Sequence, residues 1–300
     1  MAVTKVTGPL GPRRAIAAAL KQLRDNSGES LNDAAAGLMI STSKLSRLEN
    51  AQGRPLPRDI RDVIVHYKIE GTSLAGDLRR WVADAQRPGW WTGYDDEVLS
   101  PVLGELGLDA HLAYEVDATV ERTYTLPFVP ALLQTADYAE AIFRDMEHRS
   151  EDEISQLVDV RIRRQDALSS REGLDPLRLV AVTHESSLRQ AVGSPQIIQD
   201  QLDALVERSK APNVSLRVFP FTAKPVLTMT CMYAYFEYRN AELQQDVVHI
   251  ETPAGYWSVE DPGEVAEYRK AHGALVKASL TEDDTRAFIR SIRDDVSNES

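Results

Sequence analysis

The spacing of apolar residues changes along the chain, and this change constrains the fold most. Before Pro176 apolar residues recur mainly every three or four positions, as on one face of a helix. Beyond Pro176 several runs alternate apolar and polar side chains, as strands do, with helical segments between and after them. The pattern predicts an α+β chain, and its 300 residues suffice for about two domains.

The composition excludes several classes of protein. With 43% hydrophobic and 27% charged residues, the chain resembles ordinary globular proteins. A single cysteine, Cys231, excludes an intramolecular disulfide and a multi-cysteine metal site. The first residues contain no apolar segment before a cleavage site, and no uncharged apolar run approaches the ~20 residues that cross a bilayer. We therefore expect a cytoplasmic protein without membrane contact.

Charge is distributed unevenly within the net charge of −12. Residues 1–87 contain 14 Lys and Arg against 9 Asp and Glu, a balance of +5. Residues 88–300 contain 20 against 37, a balance of −17. A small basic part beside a larger acidic part is expected where only the basic part meets phosphate. The small excess of positive charge in residues 1–87 also fits ordinary variation between segments. Whether this part binds DNA therefore depends on its predicted helices.

Two short helices joined by a tight turn are predicted within the basic part. The first covers residues 31–37, follows Ser30 as its cap and buries the small Ala34, Ala35 and Ala36. The second covers residues 42–50, follows Ser41 and has Leu45 and Leu48 facing inward. Its outward residues are Thr42, Ser43, Lys44, Ser46 and Arg47.

This pair has the parts needed to place a helix in the major groove of double-stranded DNA. We predict base contacts from Thr42, Ser43 and Arg47, since arginine can donate to guanine O6 and N7 together. The predicted phosphate contacts are Ser41, Lys44, Arg54 and Arg58. In isolation, the same polar face also fits a solvated helix.

The order of the whole segment resembles a known family. Residues 31–37, 40–50 and 53–55 look like the helix-turn-helix of phage-repressor-type (XRE) regulators, and Ser-Arg-Leu-Glu-Asn at 46–50 is the most characteristic part. The resemblance implies a five-helix domain that includes helices at 57–69 and 73–86. Many relatives carry a glutamine near the start of the second helix that supports a phosphate contact. Asn32 takes that role in our prediction.

The organisation of the remaining chain follows from its turns and periodicity. Residues 88–108 are predicted as a hinge, with Trp90 and Trp91 packed between domains rather than forming a ligand cage. Residues 109–300 are predicted as an acidic α+β domain with a central mixed sheet. Its predicted strands are 123–129, 177–183, 214–219, 227–236, 247–251 and 255–259. Its predicted helices are 109–118, one capped by Thr135, 151–170, 195–210, 262–279 and a last one to about residue 296.

Four segments of this acidic part resemble a second family. Residues 126–139, 161–168, 201–205 and 213–221 look like the C-terminal domain of uncharacterised function in actinobacterial regulators of the WhiJ-like, antitoxin-like group. The most specific element is Pro-x-Leu-Leu-Gln-Thr, in which Ala131 stands where most relatives have glycine. The resemblance implies a transcription regulator, often encoded beside a small acidic partner protein. It names no small-molecule effector.

An enzymatic function for the acidic part is the weaker alternative. The sequence has no Gly-rich phosphate loop, no Gly-x-Ser-x-Gly and no His-Glu-x-x-His. His249 with Glu251, and His184 with Glu185, could support acid–base chemistry, but isolated histidines on strands are more often structural. Cys231 is predicted as a buried, inert thiol rather than a sensor. The aromatic residues Tyr233, Tyr235, Phe236 and Tyr238 are predicted as sheet core and edge rather than as a ligand site.

The sequence therefore predicts a DNA-binding transcriptional regulator. We expect a homodimer on a palindromic operator, with half-sites about one helical turn apart. The acidic domain would mediate dimerisation or bind a small partner protein or effector. The alternative is an antitoxin-like protein whose main role is to sequester a co-encoded small protein. We expect no catalytic residue, cofactor or metal.

Overall fold

The computed structural model describes residues 8–94, 97–145, 149–171, 173–226, 231–239, 245–252 and 255–299. The chain divides into two compact units. The helical unit contains the residues up to Gly93, together with Leu108–Asp117 and Tyr238–Gln245. The sheet unit contains Tyr94–Gly107, Ala118–Glu237 and Asp246–Ser300.

The elements are numbered in chain order over the described residues. The α-helices are α1 (Gly11–Ser27), α2 (Leu31–Gly37), α3 (Thr42–Glu49), α4 (Pro57–His66), α5 (Ser73–Gln86), α6 (Leu99–Glu105), α7 (Leu108–Glu115), α8 (Ala136–Arg144), α9 (Glu151–Arg164), α10 (Glu185–Arg189), α11 (Pro195–Arg208), α12 (Pro262–Ala278) and α13 (Glu282–Glu299). The strands are β1 (Val120–Thr125), β2 (Arg178–His184), β3 (Val214–Phe219), β4 (Tyr233–Glu237), β5 (Val247–Thr252) and β6 (Gly255–Val259). Within the described ranges, none of the helices combines the length and apolarity that crossing a membrane requires.

The helical unit is built around one apolar cluster that α1 to α5 share. Ala34 and Ala35 of α2 are buried, and their small side chains allow neighbouring helices to approach closely. Ala36 is exposed, so the prediction that all three alanines are buried is wrong for this one. The five helices expected for this part of the chain are present, and α4 ends at His66, three residues before the predicted end.

The sheet unit contains a six-stranded sheet in the order β3-β2-β1-β4-β5-β6. The strands β1, β2 and β3 pair in parallel, and β4, β5 and β6 continue the sheet in antiparallel pairs, so the predicted mixed sheet is confirmed. Helices α8 and α9 connect β1 to β2, and α10 and α11 connect β2 to β3, as parallel neighbours require. Residues 179–183 of the central β2 are all buried.

Several boundaries differ from the predicted ones. β1 begins at Val120 rather than at residue 123, and it ends before Pro127, which has no N–H to donate to a neighbouring strand. β4 covers only the end of the strand predicted at 227–236, of which residues 227–230 lie outside the described residues. α9 ends at Arg164 and continues as a short 3-10 helix, Gln165–Leu168, instead of reaching residue 170.

The segment predicted as a hinge contains regular structure. Trp90–Gly93 forms a 3-10 helix, and α6 follows within the sheet unit. Trp91 is buried, and a Cβ at Gly89 would lie 2.4 Å from its indole ring, so only glycine fits there. The helical signal of α6 was present in Leu99, Val102 and Leu103, which are all buried.

Candidate nucleic-acid interface

Helix α3 is held in place from its buried side. The Ser41 hydroxyl accepts a hydrogen bond from the backbone N–H of Lys44 at 3.1 Å and so begins the helix, as the sequence predicts. Leu45 and Leu48 are 2% and 5% exposed, which confirms that they face the core. The orientation of α3 therefore fixes which side chains point outward.

Ser43 and Arg47 lie one helical turn apart on the outer face of α3, and both are exposed. Neither side chain forms a hydrogen bond or ion pair with any residue that the structure describes. None of the five N–H donors of the exposed Arg47 guanidinium is bonded to an acceptor in the described ranges. This is the arrangement that donation to a base edge requires.

Thr42 and Asn32, both predicted as DNA contacts, contact each other. Thr42 is half-buried, and its hydroxyl donates to Asn32 Oδ1 at 3.0 Å. Asn32 itself is exposed near the start of α2. The bond ties the first turns of α2 and α3 together, which the sequence did not predict.

Lys44 has an internal partner. Its ammonium lies 2.6 Å from Asp59 Oδ1, and Asp59 is only 5% exposed. The other carboxylate oxygen of Asp59 accepts the backbone N–H of Leu56 at 3.1 Å and so begins α4. A lysine ammonium has three N–H donors. Lys44 therefore joins α3 to α4 with one donor, and its other two donors have no partner among the described residues.

A second ion pair holds the last turn of α3. Arg24 of α1 donates two hydrogen bonds to Glu49, at 2.8 and 3.1 Å, and the Glu49 side chain is 8% exposed. The hydrogen bond to Glu49 raises the pKa of Arg24 above its ordinary value. A paired, planar contact of this kind fixes both position and orientation. Sequence reasoning missed it, although Glu49 belongs to the characteristic stretch at 46–50.

Helix α2 is held against α4 by His66. Its Nε2 lies 3.1 Å from both carboxylate oxygens of Glu29, and this hydrogen bond lowers the pKa of Glu29. A Cβ at Gly37 would lie 2.3 Å from the His66 ring, so the close approach requires glycine at that position. The helix that precedes α3 is thereby fixed at both of its ends.

Arg54 and Arg58 follow α3 and differ in their contacts. Arg54 is exposed, and its Nη2 donates to the backbone carbonyl of Gln86 at 2.5 Å. Gln86 returns a bond of 2.5 Å to the carbonyl of Pro55, which joins this loop to the end of α5. The Arg58 side chain is 67% exposed and lies 3.8 Å from Asp59. Both cations remain accessible to solvent.

Two protein families match this chain. Residues 15–75 match a family described as helix-turn-helix domain, and residues 108–291 match one described as domain of unknown function (DUF5753). The second match covers more than half of the 300 residues. The chain belongs to the DUF5753 family. Searches of curated proteins and of solved structures gave no match.

The helix-turn-helix match of this DUF5753 chain includes every residue predicted to contact DNA, from Asn32 to Arg58. Together the two matches support a DNA-binding regulator of the XRE-like kind. A helix-turn-helix domain also indicates a regulator rather than an enzyme. The roles of the individual side chains remain predictions.

The histidines considered for catalysis in the DUF5753 part have structural contacts. His249 is 2% exposed, stacks on Tyr256 at 4.4 Å and lies 3.4 Å from Ser258 Oγ. His184 Nδ1 accepts the backbone N–H of Ser186 at the start of α10. These contacts favour the structural interpretation over acid–base chemistry.

The predictions for Cys231 and for the aromatic residues in and next to β4 come from one apolar run of the sequence. Tyr233, Tyr235 and Phe236 are buried in the sheet, and Tyr238, just beyond β4, is buried as well, which confirms the prediction of core. Cys231 precedes β4 and is half-buried. The prediction of a buried thiol inside a strand is therefore wrong, because β4 begins only at Tyr233.

Proposed function

We propose that this protein is a sequence-specific transcriptional regulator whose helix α3 enters the major groove of DNA. In this proposal Thr42, Ser43 and Arg47 contact base edges. The observation that carries it is the exposed Arg47, which has no partner among the described residues and lies on a helix fixed by its core face. Because α3 is fixed on the core, only the Arg47 side chain has to be ordered on binding, at a cost of about 0.5–1.5 kcal/mol.

The proposed phosphate contacts surround α3. They are Ser41, Lys44, Asn32, Arg54 and Arg58. Three of them are already oriented by bonds within the protein. Lys44 is bonded to Asp59, Asn32 to Thr42, and Arg54 to Gln86. Such contacts position a protein on the duplex but carry no sequence information themselves.

We further propose that residues 1–87 are the DNA-binding domain, 88–108 a linker, and 109–300 a regulatory or partner-binding domain. The balance of −17 over residues 88–300 would be repelled by DNA, so this part is suited to contacts with protein. A homodimer on a palindromic operator would supply the affinity that a single helix-turn-helix lacks. The resemblance at 126–139 supports membership of the WhiJ-like group and a small acidic co-encoded partner, and a role on DNA implies a cytoplasmic location.

The test begins with selection of bound fragments from random duplex DNA by the full chain. Dissociation constants are then measured on the selected site and on single-base variants of it. Arg47→Ala should cost about 1–3 kcal/mol and relax the preference at one position, whereas Arg58→Ala should weaken binding on all sequences alike. Arg80→Ala is the control for loss of charge, because Arg80 lies on the exposed face of α5 and is paired with Asp77.

Two outcomes would contradict the proposal. Equal weakening by Arg47→Ala and Arg58→Ala on every sequence would exclude base contacts from α3. A neighbour-encoded small protein that binds the chain more tightly than any selected DNA would favour the antitoxin-like alternative instead.

A further inference from the structure

Three segments of the helical unit meet at the start of α1. A Cβ placed on Gly8 would lie 2.6 Å from the backbone oxygen of Arg87 and 3.7 Å from Arg13 Nη2. Arg54 donates to the carbonyl of Gln86, the residue before Arg87. The Arg13 and Arg54 side chains therefore meet at the backbone of residues 86–87, from which the Arg87 side chain also extends; we call Arg13, Arg54 and Arg87 the cation cluster.

The charge of the cation cluster is poorly neutralised. Arg13 Nε is buried and has no hydrogen-bond partner in the described part of the chain. The bond of Arg54 goes to a neutral carbonyl, and Arg87 reaches one carboxylate, that of Asp84, at 3.7 Å. Burial and, after it, the charge of Arg54 lower the pKa of Arg13. Holding the partly desolvated charge of Arg13 beside that of Arg54 is unfavourable unless an anion joins them.

The loop that carries Arg54 connects the cation cluster to α3. The backbone N–H groups of Gln52 and Gly53 both donate to the carbonyl of Arg47, at 2.9 and 3.1 Å, so the loop leading to Arg54 is fixed on the last turn of α3. Arg54 is seven residues beyond Arg47, which limits the Cα separation to about 25 Å. A DNA strand that passes α3 presents several phosphates over that distance.

We propose that the cation cluster binds a backbone phosphate of the same DNA duplex that α3 contacts. Arg13 and Arg87 lie outside the helix-turn-helix match at residues 15–75, so the proposal extends the interface to both ends of the helical segment. Guanidinium groups suit this ligand because their paired N–H donors fit two phosphate oxygens. The proposal rests on the proposed function and adds a contact that is independent of sequence.

The experiment compares the full chain with its Arg13→Met variant, which keeps most of the apolar stem and removes the charge. Binding is measured by fluorescence anisotropy on the selected duplex and on a random duplex of equal length, between 50 and 300 mM KCl in steps of about 50 mM. We expect the slope of log K against log salt to fall by about 1 on both duplexes, with unchanged base preference. Arg79→Met is the matched control, because Arg79 lies on the exposed face of α5 and is paired with Glu70.

Two further measurements separate binding from a structural role. Arg13→Met should raise the melting temperature of the free protein, because a desolvated and repelled charge is removed. Arg13→Lys should retain the salt slope of the wild type. If Arg13→Met does not fold, Arg87→Met takes its place in the salt titration.

The outcomes distinguish this inference from the proposed function. An unchanged salt slope in the folded variant, while the wild-type chain binds the selected duplex, overturns the cation cluster as a phosphate site and leaves the role of α3 intact. A wild-type chain that binds no duplex with a salt-dependent affinity overturns both.

Discussion

Arg161 and Arg208 of the sheet unit and Arg47 of the helical unit use the guanidinium group in opposite ways. In the sheet unit, Arg161 donates to Gln134 Oε1 at 2.6 Å, and Arg208 donates to the Gln134 carbonyl at 2.9 Å and to Gln165 Oε1 at 2.8 Å. In the helical unit, Arg47 has no partner within the described residues. The same side chain completes the fold in one unit and is available for a ligand in the other.

The reason lies in the backbone around Gln134. The Pro-x-Leu-Leu-Gln-Thr stretch contains only a short 3-10 helix, Ala131–Leu133, so several of its carbonyls lack partners from a helix or strand. Gln134 is 2% exposed, and its amide donates to the Val129 carbonyl. Arg208 of α11 and Gln165 donate to the Gln134 carbonyl, and Gln201 of α11 donates to the Leu133 carbonyl. Arg161 of α9 donates to the Gln134 side chain. The most specific part of the resemblance in the acidic half is thus explained by folding rather than by a binding site.

The largest predicted effect that sharpens this comparison is a loss of stability in acid. His272 of the sheet unit is 1% exposed, and its Nδ1 lies 3.1 Å from the hydroxyl of Tyr233. Burial, followed by the charge of Arg122, lowers the pKa of His272 to about 4. In the unfolded chain this histidine titrates near 6.5, so its contribution is complete above pH 6.5 and is lost as pH falls towards 4. We expect about 3 kcal/mol of stability to be lost over that interval.

Urea unfolding followed by circular dichroism at pH 7 and pH 4.5 measures this loss, with His272→Gln as the comparison. The variant should show a clearly weaker pH dependence, whatever its absolute stability. In the helical unit, the hydrogen bond with His66 lowers the pKa of Glu29. The stabilisation of the folded state by this pair is therefore lost only when the pH falls below the ordinary pKa range of a carboxyl group. A pH dependence of His272→Gln identical to that of the wild type would contradict the role of His272.

The second effect tests the structural arginines directly. Arg208→Met removes two hydrogen bonds from a charged donor and leaves Gln165 Oε1 without that partner. Burial lowers the pKa of Arg208, so part of the loss is offset by relief of desolvation. We expect the free energy of unfolding to fall by about 1–2 kcal/mol. Chemical denaturation measures the change.

Arg144→Met is the matched control, because Arg144 pairs with Glu140 and Glu151 on the surface of the same unit. Its loss should leave the free energy of unfolding nearly unchanged, because exposed ion pairs contribute little to stability. Both variants should keep the salt dependence of DNA binding. A changed salt slope in Arg208→Met would show that this arginine, too, meets DNA, and the contrast between the units would fail.

The sequence predicted those features that depend on short separations. Ser30, Ser41 and Thr135 each accept the backbone N–H three residues on, as expected for helix caps. The inward positions of α3 followed equally well from helical spacing. In such cases the partner lies within one turn, and a single sequence is sufficient.

Contacts between distant residues were not predictable in this way. Arg24 and Glu49 are 25 positions apart, and Arg208 and Gln134 are 74 apart. Many other carboxylates and carbonyls are equally compatible partners for an arginine until the chain is folded. For the candidate site, the outward residues of α3 could therefore be predicted, whereas the bonds that Lys44 and Arg54 form within the protein could not.

Backbone strain also differs between the units. The non-glycine residues described with positive φ are Met39, Ala51 and Lys68, all in the helical unit. In the sheet unit, the described positive-φ positions are glycines, among them Gly107, where a Cβ would lie 2.2 Å from the Tyr256 ring. The turns on either side of α3 thus place non-glycine residues at positive φ, which only glycines adopt among the described residues of the sheet unit.

The smallest predicted effect follows from this difference. Met39, in the turn between α2 and α3, has φ of 53° and is 87% exposed, so its side chain contributes little burial against the cost of the left-handed conformation. Met39→Gly removes that cost but gives the unfolded chain more freedom, and we expect a net gain of about 0.5 kcal/mol. Met39→Ala, which keeps the Cβ, should leave the urea midpoint unchanged. If glycine lowers the midpoint below that of alanine, the turn is not strained, and the tolerance inferred for the helical unit would have to come from contacts that Met39 makes elsewhere.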